Sequence, residues 1–129
     1  MANTHFTGPV FSANGFVGAI TGAVVGTTTG IDIANIQLLS GAGAVDVITA
    51  TTELTTTGAA QALTLADGVS GQFKNVVHTV DGGSAVLTPT TKTGFATITF
   101  TNVGDSIFLQ YHNTTRGWMV VANYNTTIA

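Results

Sequence analysis

Few residues of this chain could do chemistry, and their spacing limits what they can do. Gly104-Asp105-Ser106-Ile107 has the Gly-Asp-Ser order in which a serine can serve as an esterase nucleophile. That reaction needs the serine on a strand-to-helix turn and an Asp-x-x-His block further along the chain. No such block follows, and Ile107 to Tyr111 alternates as a strand does, so Asp105 and Ser106 are expected to hydrogen-bond the backbone of a turn. The three histidines, His5, His78 and His112, lie far apart. None has a second histidine or a carboxylate at ligand spacing, so a metal site would need one histidine from each of several copies around an axis. Asp32, Asp46 and Glu53 are scattered singly and form no acid–base pair. Gly41-Ala42-Gly43-Ala44 is expected to be a glycine turn, because no strand–loop–helix context makes it a dinucleotide loop. The chain is therefore expected to be no enzyme and to use no cofactor and no metal.

The elements around these residues follow from composition. The chain has 129 residues, of which only nine are charged: Lys74, Lys92, Arg116, five Asp and one Glu. Three basic residues against a net charge of −3 cannot track a phosphate backbone, which excludes nucleic acid as a partner. There is no Cys, hence no disulfide framework and no thiolate metal site. Hydrophobic residues make up 44% and the mean hydropathy is +0.42, the reverse of a disordered composition. The Gly18, Gly22, Gly26 and Gly30 spacing would suit packed membrane helices, but the apolar run is short, broken by Thr and not flanked by Lys or Arg. No membrane span is expected. A small protein this poor in charge is expected to hide surface in partners.

Two regions differ in character. Met1 to Ile31 contains no Asp, Glu, Lys or Arg, and its repeated glycines oppose a stable helix. Its apolar residues Phe6, Val10, Phe11, Phe16, Val17, Ile20, Val24 and Val25 oppose a simple linker. Residues 1–30 are therefore read as an extended arm. Ordering it costs about 1–2 kcal/mol per residue, which calls for apolar burial on the scale of a protein–protein interface.

Residues 31–129 read as strand after strand. Ala96 to Thr101 alternates apolar residues with Thr; Ile107, Leu109 and Tyr111 alternate likewise, as do Trp118, Val120, Ala122 and Tyr124. Less regular strands are expected at Ile31 to Leu39, Val45 to Leu54, Ala60 to Ala66, Gln72 to Val80 and Ser84 to Thr88. Turn chemistry lies between them at Asp67-Gly68, Asp81-Gly82-Gly83, Thr93-Gly94, Asn102 to Asp105 and Asn113 to Gly117. Seven or eight short strands with 25 Thr and no helical period predict an all-β, single β-sandwich domain, jelly-roll-like or Greek-key. Phe95, Phe100, Tyr111 and Trp118 are expected in its packing, with Trp118 or Tyr124 as the sharper candidates for stacking on a sugar.

The segments Gly71 to Lys74, Asp81-Gly82-Gly83, Leu87-Thr88-Pro89, Gly94 to Phe100, Gly104-Asp105-Ser106, Leu109-Gln110-Tyr111 and Gly117-Trp118 resemble the β-domains of tailed-phage virion proteins. The front end, Thr7-Gly8-Pro9-Val10-Phe11-Ser12-Ala13-Asn14-Gly15-Phe16, resembles the N-terminal segments of small phage structural proteins, including capsid decoration (cement) proteins and head fibres. The resemblance implies a homotrimer on the outer surface of the capsid, bridging major capsid protein subunits and stabilising the shell. It also implies that Phe6, Pro9, Val10, Phe11, Phe16 and Val17 contact capsid or neighbouring subunits, with Ile20, Val24 and Val25 extending the series. The Gly-x-x-x repeat from Gly18 to Gly30 is similar to the repeats that feed fibre shafts. It keeps open a head- or tail-fibre, receptor-binding module that recognises a host surface glycan.

Overall fold

A computed structural model describes residues 32–129, with side chains from Asn35 onward. The expected arm over 1–30 lies outside the described residues. Ten strands are formed: β1 (Asp32–Ser40), β2 (Gly43–Val45), β3 (Thr49–Thr55), β4 (Gln61–Leu65), β5 (Phe73–Val80), β6 (Ala85–Pro89), β7 (Ile98–Phe100), β8 (Ser106–Tyr111), β9 (Trp118–Tyr124) and β10 (Thr127–Ile128). They make a β-sandwich of two five-stranded sheets. The front sheet has the order β1-β3-β5-β8-β9 and the back sheet β10-β7-β6-β4-β2.

Alternation explains the layering. On β5, Lys74, Val76 and His78 are buried while Phe73 is exposed; on β8, Ile107, Leu109 and Tyr111 are buried. The back sheet sends in Leu63, Leu65, Ala85, Leu87, Ile98 and Phe100. Together with Val45, Leu54, Val76 and Trp118 these close one apolar core between the sheets. Tyr111 and Trp118 meet edge to face, with ring centroids 5.3 Å apart. Burial of an aromatic side chain of this size stabilises by about 1.5–3 kcal/mol.

The connectivity departs from an all-antiparallel jelly roll or Greek key. From β1 to β6 the chain crosses from sheet to sheet at each connection, so β1, β3 and β5 pair in parallel, as do β2, β4 and β6. This half is a flattened coil, in which the strand of the opposite sheet serves as the crossover that parallel neighbours require. From β7 onward the strands pair antiparallel, with only isolated parallel bridges at Lys92–Trp118 and Ser106–Asn125 among the described residues.

Short polar turns explain the crossings. The Val45 to Leu54 run divides because the Asp46 carboxylate accepts the N–H groups of Ile48 (2.9 Å) and Thr49 (2.8 Å). Val45 then ends a back strand and Thr49 begins a front one. The glycine turn expected at 41–44 is narrower than expected, since Gly43 and Ala44 belong to β2. Two further Asp carboxylates build turns: Asp81 holds Gly83, and Asp105 holds Thr101 and Asn102; Asp67 instead ties its loop to Thr91, far along the chain.

Candidate binding face

The outward side of the front sheet is ordered by its register. One row runs Phe73, Gln110, Met119; the next runs Ile36, Thr51, Asn75, Phe108, Ala122; the third runs Leu38, Glu53, Val77, Ser106. Leu38 is 77% exposed, Ile36 50% and Phe73 42%, unusual values for large apolar side chains on one face. Phe73 and Phe108, diagonal neighbours on β5 and β8, stack with centroids 5.2 Å apart and planes 6° from parallel. At the far end Leu38, Glu53, Thr55, Thr79 and Val80 line an open hollow of about 360 Å³. Glu53 is the one charge among the described side chains of this face.

The back sheet differs. Its outward rows are Ala44, Thr64, Thr88 and Ala62, Val86, Thr99, Thr127. Small residues and hydroxyls can face water there without charge. The larger apolar and aromatic side chains therefore sit on the front face, among polar ones, and the back face carries small residues and hydroxyls.

Positions singled out in the sequence fall as follows. Asp105 is buried and its carboxylate is committed to the Thr101 (2.7 Å) and Asn102 (2.9 Å) N–H groups. Ser106 projects from the front face opposite Val77, whereas the His78 side chain points into the core. His78 and Asp105 meet only through backbone, His78 N–H donating to Asp105 C=O at 2.9 Å. The arrangement therefore has no relay from histidine to the Ser106 hydroxyl. Among the described residues no three His, Asp or Glu side chains gather as a metal-binding group, and no helix is long and apolar enough to cross a membrane. Trp118 cannot stack on a sugar: it is fully buried, with its indole N–H donating to Ala66 C=O at 2.9 Å. Tyr124 is 63% exposed. The arm candidates Phe6, Pro9, Val10, Phe11, Phe16, Val17, Ile20, Val24 and Val25 lie outside the described residues, as does His5.

Sequence reasoning missed a buried polar series. The inner face of the central strand β5, with the residue before it, carries Gln72, Lys74 and His78. Each reaches groups that the coil's crossings leave outside the ladders. Gln72 donates to Val47 C=O and accepts the Val69 N–H. Lys74 donates to the Thr49 carbonyl (2.8 Å) and hydroxyl (3.2 Å). From β1, Gln37 adds bonds to Ala44, Asp46 and Thr52. Alternation within Gln72 to Val80 placed these side chains inward, which was the available signal; their partners are set by the crossings.

Burial pushes the Lys74 ammonium below its ordinary range, and the nearby Asp46 carboxylate offsets part of that. For Asp46, burial pushes up, but hydrogen bonds from Thr49 and Ile48 and the charge of Lys74 outweigh it, and the carboxyl lies lower than usual. The Lys74 amine is enclosed, bonded to Thr49 and paired with Asp46.

No family model and no curated protein matches the chain in sequence.

Proposed function

We propose that this chain is a virion structural protein, a capsid decoration (cement) subunit that works by binding and not by catalysis. The front face supports the reading: Ile36, Leu38 and Phe73 are presented to solvent, with Phe108 half-buried beside Phe73, on a protein with little charge to keep them there. The charge-free segment enters at Asp32, on the edge strand of that same sheet. In this reading the β-sandwich forms the body of a homotrimer on the outer surface of the shell. Residues 1–30 supply the grip on the major capsid protein. The resemblance of residues 7–16 and of the C-terminal half to phage structural proteins points to the same setting.

Co-sedimentation with purified shells tests it. A grip that is apolar and hydrogen-bonded changes little between low and high salt. Deleting residues 2–17 leaves a folded sandwich that no longer attaches. A steep salt dependence, or undiminished attachment of the shortened chain, would count against the proposal. The fibre or receptor-binding reading rests on the exposed Tyr124 ring; glycan-array binding with no affinity for shells would favour it.

A further inference from the structure

We infer that the outward face of the front sheet is where copies of this chain meet. The inference depends neither on the capsid nor on the three-fold arrangement of the function above, since a face that packs on its own copy makes a two-fold pair.

Size comes first. Five strands at about 4.8 Å spacing, each about six residues at about 3.3 Å, give a plane of about 480 Å² before side-chain relief. Relief raises the accessible area towards the about 800 Å² that each partner contributes to a standard interface. Some of the face's side chains are of the kinds that interface cores favour: a stacked Phe pair and Met119 on one side and, beyond Thr51 and Asn75, Ile36 and Leu38 on the edge strand, with Glu53 the one charge among the described side chains.

Complementarity then selects the occupant. The face offers no pattern of charge for a charged partner to match. It needs a flat, apolar, nearly uncharged surface, and it is itself such a surface. Sheet faces also pack on one another readily, about 10 Å apart, with side chains interdigitating. The back face, lined by Thr64, Thr88, Thr99 and Thr127, needs no cover. Association through the front face thus removes the exposed apolar rows and leaves the hydroxyl-lined side in water.

Sedimentation equilibrium on the full chain, at roughly 1 to 100 µM to span ordinary interface affinities, reads the result. The wild-type protein is expected to sediment as a multiple of its 13.1 kDa chain mass. Leu38→Glu, at a position too exposed to disturb the core, and Phe108→Glu are expected to raise the dissociation constant at least tenfold. Thr88→Glu on the back face is expected to leave it unchanged, with near-ultraviolet circular dichroism of Trp118 reporting folding in every variant. A 13.1 kDa species across the whole range would overturn the inference. So would front-face variants that associate like wild type, or a Thr88→Glu variant that dissociates equally. A monomer whose front-face variants lose attachment to shells would assign the face to the capsid instead, and that outcome also overturns it. Shell binding by the wild type is read separately, so the failure of either proposal can be told from the failure of the other.

Discussion

The Lys74 ammonium lies 3.7 Å from an Asp46 carboxylate oxygen, the lysine fully buried and the aspartate about one-third exposed. The pair is lopsided, and its two halves respond differently to substitution. Asp46→Asn keeps the turn acceptors but leaves a buried cation with only neutral partners. Lys74→Met leaves a carboxylate that water can reach and fills the lysine's apolar path. The expected losses are about 1–3 kcal/mol for Asp46→Asn and less for Lys74→Met, measured by urea unfolding at neutral pH. Equal losses, or the reverse order, would contradict the assignment.

The same pair sets a pH dependence of known sign. Asp46 has a folded pKa below its ordinary 3.8, so its contribution is full above that value and is lost as pH falls through the folded pKa. Lys74 has a folded pKa below its ordinary 10.5, so burying it costs stability at neutral pH. That cost is relieved as pH rises through the folded pKa towards the unfolded one. Burial pushes the Tyr111 phenol up, with a smaller push from Asp67, and this removes stability as pH passes its ordinary 10.0. Tyr111 acts alike in wild type and Lys74→Met, so the difference between their alkaline unfolding curves isolates Lys74. Wild type is expected to gain on Lys74→Met as pH rises from 7 towards 10; parallel curves would contradict this.

His78 is held as a single tautomer. The Thr56 hydroxyl lies 2.7 Å from Gly83 C=O, 2.8 Å from the Gly82 N–H and 3.0 Å from His78 Nε2. Its one proton goes to the carbonyl, so Nε2–H must donate and Nδ1, buried without a partner, carries no proton. Long-range ¹H–¹⁵N correlation at neutral pH is expected to show a protonated Nε2 and an unprotonated Nδ1. The opposite pattern would show the Thr56 proton directed at the ring.

Two glycines with positive φ separate strain from collision. At Gly117 (φ 66°) a Cβ would come 2.1 Å from Thr91 C=O, the acceptor of the Trp118 N–H. At Gly94 (φ 90°) it would meet nothing within 4 Å. Gly94→Ala is expected to cost about 1 kcal/mol from backbone strain alone, and Gly117→Ala at least about 2 kcal/mol more, by thermal or urea unfolding. Similar costs at both sites would mean that the close approach of β9 to the Thr91 loop is not tight.

Alternation made much of the sandwich legible. Ala96 to Thr101 and Ile107 to Tyr111 show which side chains face the core, because a strand's period of two is local. The expected alternation of Trp118, Val120, Ala122 and Tyr124 holds only for the first two, since a bulge after Val120 turns Ala122 outward and Tyr124 is exposed. Connectivity was not legible, because a crossing turn and a hairpin turn use the same residues. Asp46 bends the chain from one sheet to the other with bonds that would equally suit a hairpin. The two-residue β10 is too short to carry a period and exists through its pairing with β7. For the binding face, alternation implied that Phe73 and Phe108 point outward. That they share a diagonal and stack depends on the β5–β8 register, which no local pattern encodes.

The change from coil to antiparallel strands orders how the chain must fold. A coil can grow by rungs, since β3 lays down on β1, and β5 on β3, with only one intervening strand to wait for. The closing half cannot. β8 must find β5 across the whole β6–β7 excursion, and Trp118 must reach Ala66 from the other side of the molecule. These distant pairings place part of the loop closure late, and pairing of the C-terminal strands is expected to slow folding. Until they close, β5 remains an open edge, and a freshly made chain is most prone to pairing with the wrong neighbour in that interval.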